Sequence, residues 1–212
     1  MLTIRQLWTI IITQAVFLMA VSHYTAGIAA ERSWLRESYF EQLGFAQLAT
    51  EDLRVLNEIA LQYQAEVYAL RQAQRRAQFE RYVRSVNPVA PAEQIVDAVL
   101  KAEVETGIEA PWLLAKLKQE SYFNPHAVSS TGCRGLAQMC RAASRDVGLD
   151  PAKVFEVHAN VLAGARYLKL QLSAVGGNMN MALVKYNGND DPLFVQRVRS
   201  HRANLLRATG GV

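Results

Sequence analysis

The sequence predicts a mainly helical protein built in three parts, and three observations carry that prediction. A charge-free apolar stretch opens the chain, a long heptad-like seam follows it, and the C-terminal half consists of short amphipathic runs separated by Pro and Gly. The expected parts are an apolar segment over 1–30, a helical stalk over 31–86 and a compact helical domain over 87–212. A chain of 212 residues has room for one ordinary domain and an extension. Half of the residues are apolar and a fifth are charged, which allows a packed core and argues against wholesale disorder. The net charge of +4 is spread along the chain, apart from Arg71, Arg75, Arg76, Arg81 and Arg84. That is not the dense basic patch with interleaved aromatics of a nucleic-acid binder. A polyanionic envelope or a membrane surface suits the balance as well as DNA does, so charge alone decides nothing; no nucleic-acid partner is expected from the chain as a whole.

No charged residue lies between Arg5 and Glu31. About 20 apolar helical residues cross a bilayer core, so residues 7–30 are long enough for an inner-membrane anchor. The lone Arg5 on the short N-terminal side agrees with an N-in orientation. The small residues at Ala26-Gly27-Ile28-Ala29-Ala30 also fit a cleaved export signal. Either way the rest of the chain is expected in the periplasm.

In the second part, Ala49, Leu53, Leu56, Ala60, Tyr63, Val67, Leu70, Gln74 and Ala77 alternate by threes and fours. This predicts a long helix burying one narrow stripe, uninterrupted by Gly or Pro before Pro88. Two readings stand: a stalk, self-associating through 49–84, or a helix packed on its own domain. The arginines near its end read most simply as a solvated face.

Pro88 and Pro91 stop that helix and start the next. Ile95, Val96, Val99 and Leu100 predict a helix ending near Gly107, and Pro111 opens another that carries Leu113, Leu114 and Leu117 until Asn124-Pro125. Residues 126–135 read as a loop or small hairpin. Helix is expected again from about Leu136, from Asn160 to Leu172 and around Ala182 to Tyr186. The two cysteines, Cys133 and Cys140, flank Gly135-Leu136-Ala137-Gln138. An exported chain permits a disulfide between them, and two reduced, buried thiols are the other reading.

Glu120 stands out as the candidate acid. It follows Leu117 by three and Leu113 by seven, at the edge of an apolar stripe. Apolar surroundings raise a carboxyl pKa, as a general acid at neutral pH requires. Taken alone, a helix-end glutamate paired with a Lys or Arg explains it better.

Its neighbours change that balance. Gln119-Glu120-Ser121-Tyr122-Phe123-Asn124-Pro125 resembles the catalytic segment of the soluble-lytic-transglycosylase family, whose fold is goose-lysozyme-like. Gly132-Cys133-Arg134-Gly135-Leu136-Ala137-Gln138-Met139 is similar to its glycine-rich turn and Gly-Leu-x-Gln motif. Asn160 to Leu168 resembles its third motif, and Lys185-Tyr186-Asn187-Gly188 its Ala-Tyr-Asn motif. The resemblance spans about Ile95 to Leu205, and four motifs in order make it specific.

The resemblance implies a peptidoglycan-cleaving enzyme with Glu120 as general acid and base. Ser121 would hydrogen-bond near it, Gln138 would contact a sugar N-acetyl group, Tyr186 would orient Glu120, and Asn187 would help to hold the sugar. Asn160, Gly164 and Tyr167 would be structural. Ala137 stands where the family commonly has Met, Cys140-Arg141 where Met-Pro is frequent, and Lys185 where Ala is usual. Lys185 would lower the Glu120 pKa if it faced the cleft.

Ordinary glycosidases use two carboxylates. The family pattern implies one, because the substrate acetamido group and 6-hydroxyl complete the reaction and yield a 1,6-anhydro sugar. No metal or cofactor is implied. Asp146, Glu156, Asp190 and Asp191 read as surface acids. A hydrolytic muramidase on the same fold is the alternative enzyme, and a structural component of an envelope-spanning machine is the alternative of another class.

Overall fold

The computed structural model describes residues 4, 8–16, 49–188, 191 and 193–210. Expectations placed on 17–48, and on Asp190, lie outside the described residues. Residues 8–16 are helical and exposed. Among the described residues no helix is long and apolar enough to cross a membrane. By compactness the chain divides into Met1–Ala65 and Glu66–Val212.

The long helix α1 runs over Ala49–Val86. Its seam positions Leu56, Tyr63 and Leu70 are solvent-exposed. The buried stripe lies later and in another register: Phe79, Tyr82, Val83 and Val86 join the core of the second unit. The spacing of three, four and seven is that of an ordinary amphipathic helix rather than a continued heptad. The proline pair therefore ends the helix without ending its packing.

The expectation of a solvated arginine face is corrected in part. Arg75 donates two hydrogen bonds to Glu103 at 2.8 and 2.7 Å, and Arg76 donates to Asp97 at 2.8 Å. These pairs tie α1 to α2 (Ala92–Thr106). Gly107, with φ +71°, ends α2 in the left-handed region that only glycine enters cheaply. Glu103 also accepts the Ala110 N–H at 2.7 Å, so one carboxylate holds α1 and starts α3 (Ala110–Ser121).

Beyond α3 come a short α4 (Arg141–Asp146), a 3₁₀ turn at Pro151–Lys153, α5 (Val157–Ala174), α6 (Met179–Tyr186) and α7 (Phe194–Ala208). The fold is mainly helical. The helix expected from Leu136 begins only at Arg141, because 134–139 form a tight turn closed by paired bonds between Arg134 and Met139. The α7 helix was not singled out by the sequence. It packs on α3, while α2 packs on α5 and α5 on α6. Leu113, Leu114, Leu117, Leu136, Leu168, Leu183 and Leu205 fill the core between them. Each such side chain contributes about 1.5–3 kcal/mol of burial.

Candidate active site

Glu120 sits in the last turn of α3. The helix stops there because Tyr122 and Phe123 take positive φ values of 50° and 61°. Non-glycine residues rarely hold that conformation without compensation. Compensation comes from the Phe123 ring, fully buried and edge-on to Tyr82 at 6.3 Å, and from Asn87, whose amide donates to the Tyr122 carbonyl at 3.1 Å. The chain turns away there, leaving Glu120 at the helix end among apolar groups.

Burial pushes the Glu120 carboxyl up to about 7, with Lys116 pulling it the other way. Lys116, one turn earlier, is 1% exposed. Burial lowers its ammonium to about 8, and the attraction of Glu120 works to raise it. Its Nζ lies 3.8 Å from the centre of the Tyr186 ring. The sequence reading missed Lys116. The available signal was its place four residues before Glu120, inside the apolar run Leu113 to Leu117. Lys185, the cation the sequence raised instead, is exposed.

Tyr186 donates its hydroxyl to the Ala137 carbonyl at 2.8 Å and stacks edge-on with Tyr167 at 5.2 Å. It thereby joins α6 to the turn bearing Gln138. Burial, with the Glu120 charge second, raises its phenol well above the ordinary value, so it stays neutral. Gln138, at φ +48°, donates its amide to the carbonyls of Gly135 at 2.9 Å and Ala127 at 3.2 Å. Its side-chain oxygen is the atom left to offer a ligand. The Ser121 hydroxyl donates back to the Leu117 carbonyl at 3.1 Å and serves the helix end. Asn187 donates to the Asp191 carbonyl at 3.4 Å.

The structural residues behave as the sequence suggested. Asn160 accepts the Ala137 N–H at 2.7 Å and donates to the carbonyls of Arg134 and Val154. A Cβ on Gly164 would collide with Ala137 and come within 3.0 Å of Lys116 Nζ. Cys133 and Cys140 form a disulfide, with Cα atoms 4.1 Å apart, across the turn that carries Gln138. Of the acids near the motifs, Asp146 and Glu156 are exposed, and Asp191 pairs with Arg197. Among the described residues the charged group acting on Glu120 is thus a cation, not a second carboxylate.

A half-buried carboxyl of raised pKa, one helical turn from a buried cation and near a neutral phenol, is the arrangement a general acid requires, and it is set on a mainly helical frame. The family model described as the transglycosylase SLT domain matches residues 97–202, half of the chain, and the chain belongs to that family. It is 32% identical over 105 residues to the membrane-bound lytic murein transglycosylase C of Edwardsiella ictaluri, covering 45% of this chain and 29% of the relative. It is 35% identical over 68 residues to the membrane-bound lytic murein transglycosylase F of Desulfosudis oleivorans, covering 32% of this chain and 14% of the relative. The chain spans less than a third of the length of these relatives. Among solved structures, lytic transglycosylase Slt of Pseudomonas aeruginosa aligns at a TM-score of 0.48 and 21% identity, over 54% of this chain and 24% of that one.

Proposed function

We propose that this protein is a peptidoglycan lytic transglycosylase that cleaves the β-1,4 bond between N-acetylmuramic acid and N-acetylglucosamine and leaves a 1,6-anhydromuramic end. The observation that carries the reading is Glu120, held near neutrality by burial and faced by a cation. Glu120 protonates the glycosidic oxygen as the C–O bond breaks. The substrate acetamido group, held by Gln138, stabilises the cationic centre. Glu120 then takes the proton of the muramyl 6-hydroxyl as that oxygen closes on C1. No water is consumed. A hydrolase would need a carboxylate to position water. The charge facing Glu120 has the opposite sign, which favours the transglycosylase over the muramidase.

Gln138, Tyr186 and Asn187 shape the sugar side of this site, with Ser121 closing the helix beneath Glu120. In the same reading, residues 1–30 anchor the chain in the inner membrane with its catalytic part in the periplasm, 31–86 form the stalk and 87–212 the lysozyme-like catalytic domain. The relatives' names, membrane-bound, support the anchor. The exposed seam of α1, with Leu56, Tyr63 and Leu70, supports self-association. Local opening of the wall for an envelope-spanning machine is the role such an arrangement suits. Mass spectrometry of fragments released from purified sacculi tests the chemistry. Anhydromuramyl ends are expected, and reducing ends carrying oxygen from labelled water would replace this reading with the hydrolase.

A further inference from the structure

Lys116 is an ill-fitting residue by packing alone. Leu114, Ala115 and Leu117 around it are fully buried, and its Nζ is buried without a hydrogen-bond partner among the described residues. A buried charge left in that condition is costly, and an apolar side chain of equal length would serve the core better. Two features compensate. The Tyr186 ring face lies 3.8 Å away, and cations bind such faces. Glu120 follows by four residues, a spacing that sets Cβ atoms about 5–6 Å apart on one helical face. Gly164 supplies the room, since a Cβ there would reach 3.0 Å from Nζ.

We propose that Lys116 is a positioning residue for the reaction, whose buried ammonium is the counter-cation of the Glu120 carboxylate and stabilises the anion formed when Glu120 gives up its proton. The proposal rests on the general-acid reading of Glu120. The cation matters between the two proton transfers. In the first, the proton leaves Glu120 for the glycosidic oxygen, and the carboxylate is left one turn from the ammonium on the same helical face. In the second, the 6-hydroxyl proton returns to Glu120 and the pair is reset. Lys116 itself keeps its proton throughout, so it compensates charge without entering the chemistry.

Among the described residues the other titratable groups do not duplicate this role. Tyr186 from α6 is neutral, and Tyr167 from α5 lies behind it. Lys118, two residues on, turns towards the Tyr82 hydroxyl at 3.4 Å, and Lys185 faces solvent. Removing the ammonium therefore leaves the Glu120 anion uncompensated, and the carboxyl should hold its proton to higher pH.

The test is a titration read on the protein itself. With ¹³C-labelled glutamate, the Glu120 carboxyl midpoint is followed by NMR in the wild type and in Lys116→Met. The midpoint in the variant should move up by about one pH unit or more, the range an adjacent opposite charge commands. The alkaline limb of kcat should move with it, and kcat at pH 6 should fall about 3- to 10-fold with KM little changed. An unmoved midpoint in a folded variant overturns the proposal, even if activity falls. Should Lys116→Met fail to fold, the wild-type Lys116 amine decides, read by ¹³Cε shift. A midpoint near 8 that moves down in Glu120→Gln supports the pairing, and one above 10 overturns it. Because neither titration needs turnover, their failure is distinct from the absence of anhydromuramyl products in the wild type, which would refute the activity instead.

Discussion

Glu120 and Lys116 show what a side chain's neighbours do to its chemistry. A carboxyl raised to about 7 is half protonated at neutral pH and can both give and take a proton there. Glu120→Gln keeps the shape and removes the proton. Its kcat on sacculi should fall by about 10² or more while glycan binding persists, measured by turnover and by pull-down with insoluble peptidoglycan. An active Glu120→Gln would remove Glu120 from the site. At this scale the sequence was informative about identity and less so about environment. The apolar spacing of Leu113, Leu117 and Glu120 pointed at a half-buried acid, whereas a lysine in text reads as surface. Only packing shows Lys116 turned inward and Lys185 turned out.

At the scale of elements, Glu103 joins three helices through one carboxylate. Burial works to raise its pKa, but the Arg75 hydrogen bonds and the Ala110 N–H together hold it below the ordinary value. Hydrogen bonds to charged groups contribute about 1.5–3 kcal/mol each when the partner is left buried. Glu103→Ala should therefore lose about 2 kcal/mol in urea unfolding, and a loss under about 0.5 kcal/mol would show the tie to be incidental. The Cys133–Cys140 bridge closes a short loop, and a bridge of that kind stabilises by about 2 kcal/mol through the unfolded chain. Replacing both cysteines with Ser should lower the urea midpoint accordingly, and an unchanged midpoint would show that the turn holds itself. Proline and glycine made the breaks at Asn87–Pro91, Gly107 and Asn124-Pro125 legible. The heptad seam does not mark where α1 meets this core, because a period locates a stripe without saying which turns pack on which partner. Within the turn at 134–139, the text reads as helix from Leu136 onward, since the turn's determinants, the Asn160 side chain and the bridge, come from residues distant in the text or from a covalent bond.

Across the whole molecule, the site is a stability cost that folding elsewhere must offset. The sign differs for the two groups. Glu120 has a folded pKa raised from 4.5 to about 7, so its contribution is fully present below about 4.5 and is lost as pH rises through about 7. Lys116 has a folded pKa lowered from 10.5 to about 8, so its contribution is present above about 10.5 and is lost as pH falls through about 8. Between about 7 and 8 both costs act together, at the pH where the proposed reaction needs the pair. A double variant, Glu120→Gln with Lys116→Met, removes both ionisations and keeps the volumes. It should be more stable than the wild type by several kcal/mol near pH 7.5. That gap should shrink towards pH 5, where folded Glu120 is protonated and its unfolded counterpart nears its midpoint, and again towards pH 10, where folded Lys116 is neutral and its unfolded counterpart nears its midpoint. Urea midpoints of the two proteins at pH 5, 7.5 and 10 measure it. A gap that is flat across that range, or reversed in sign, would mean that the pair is not buried at the expense of the fold.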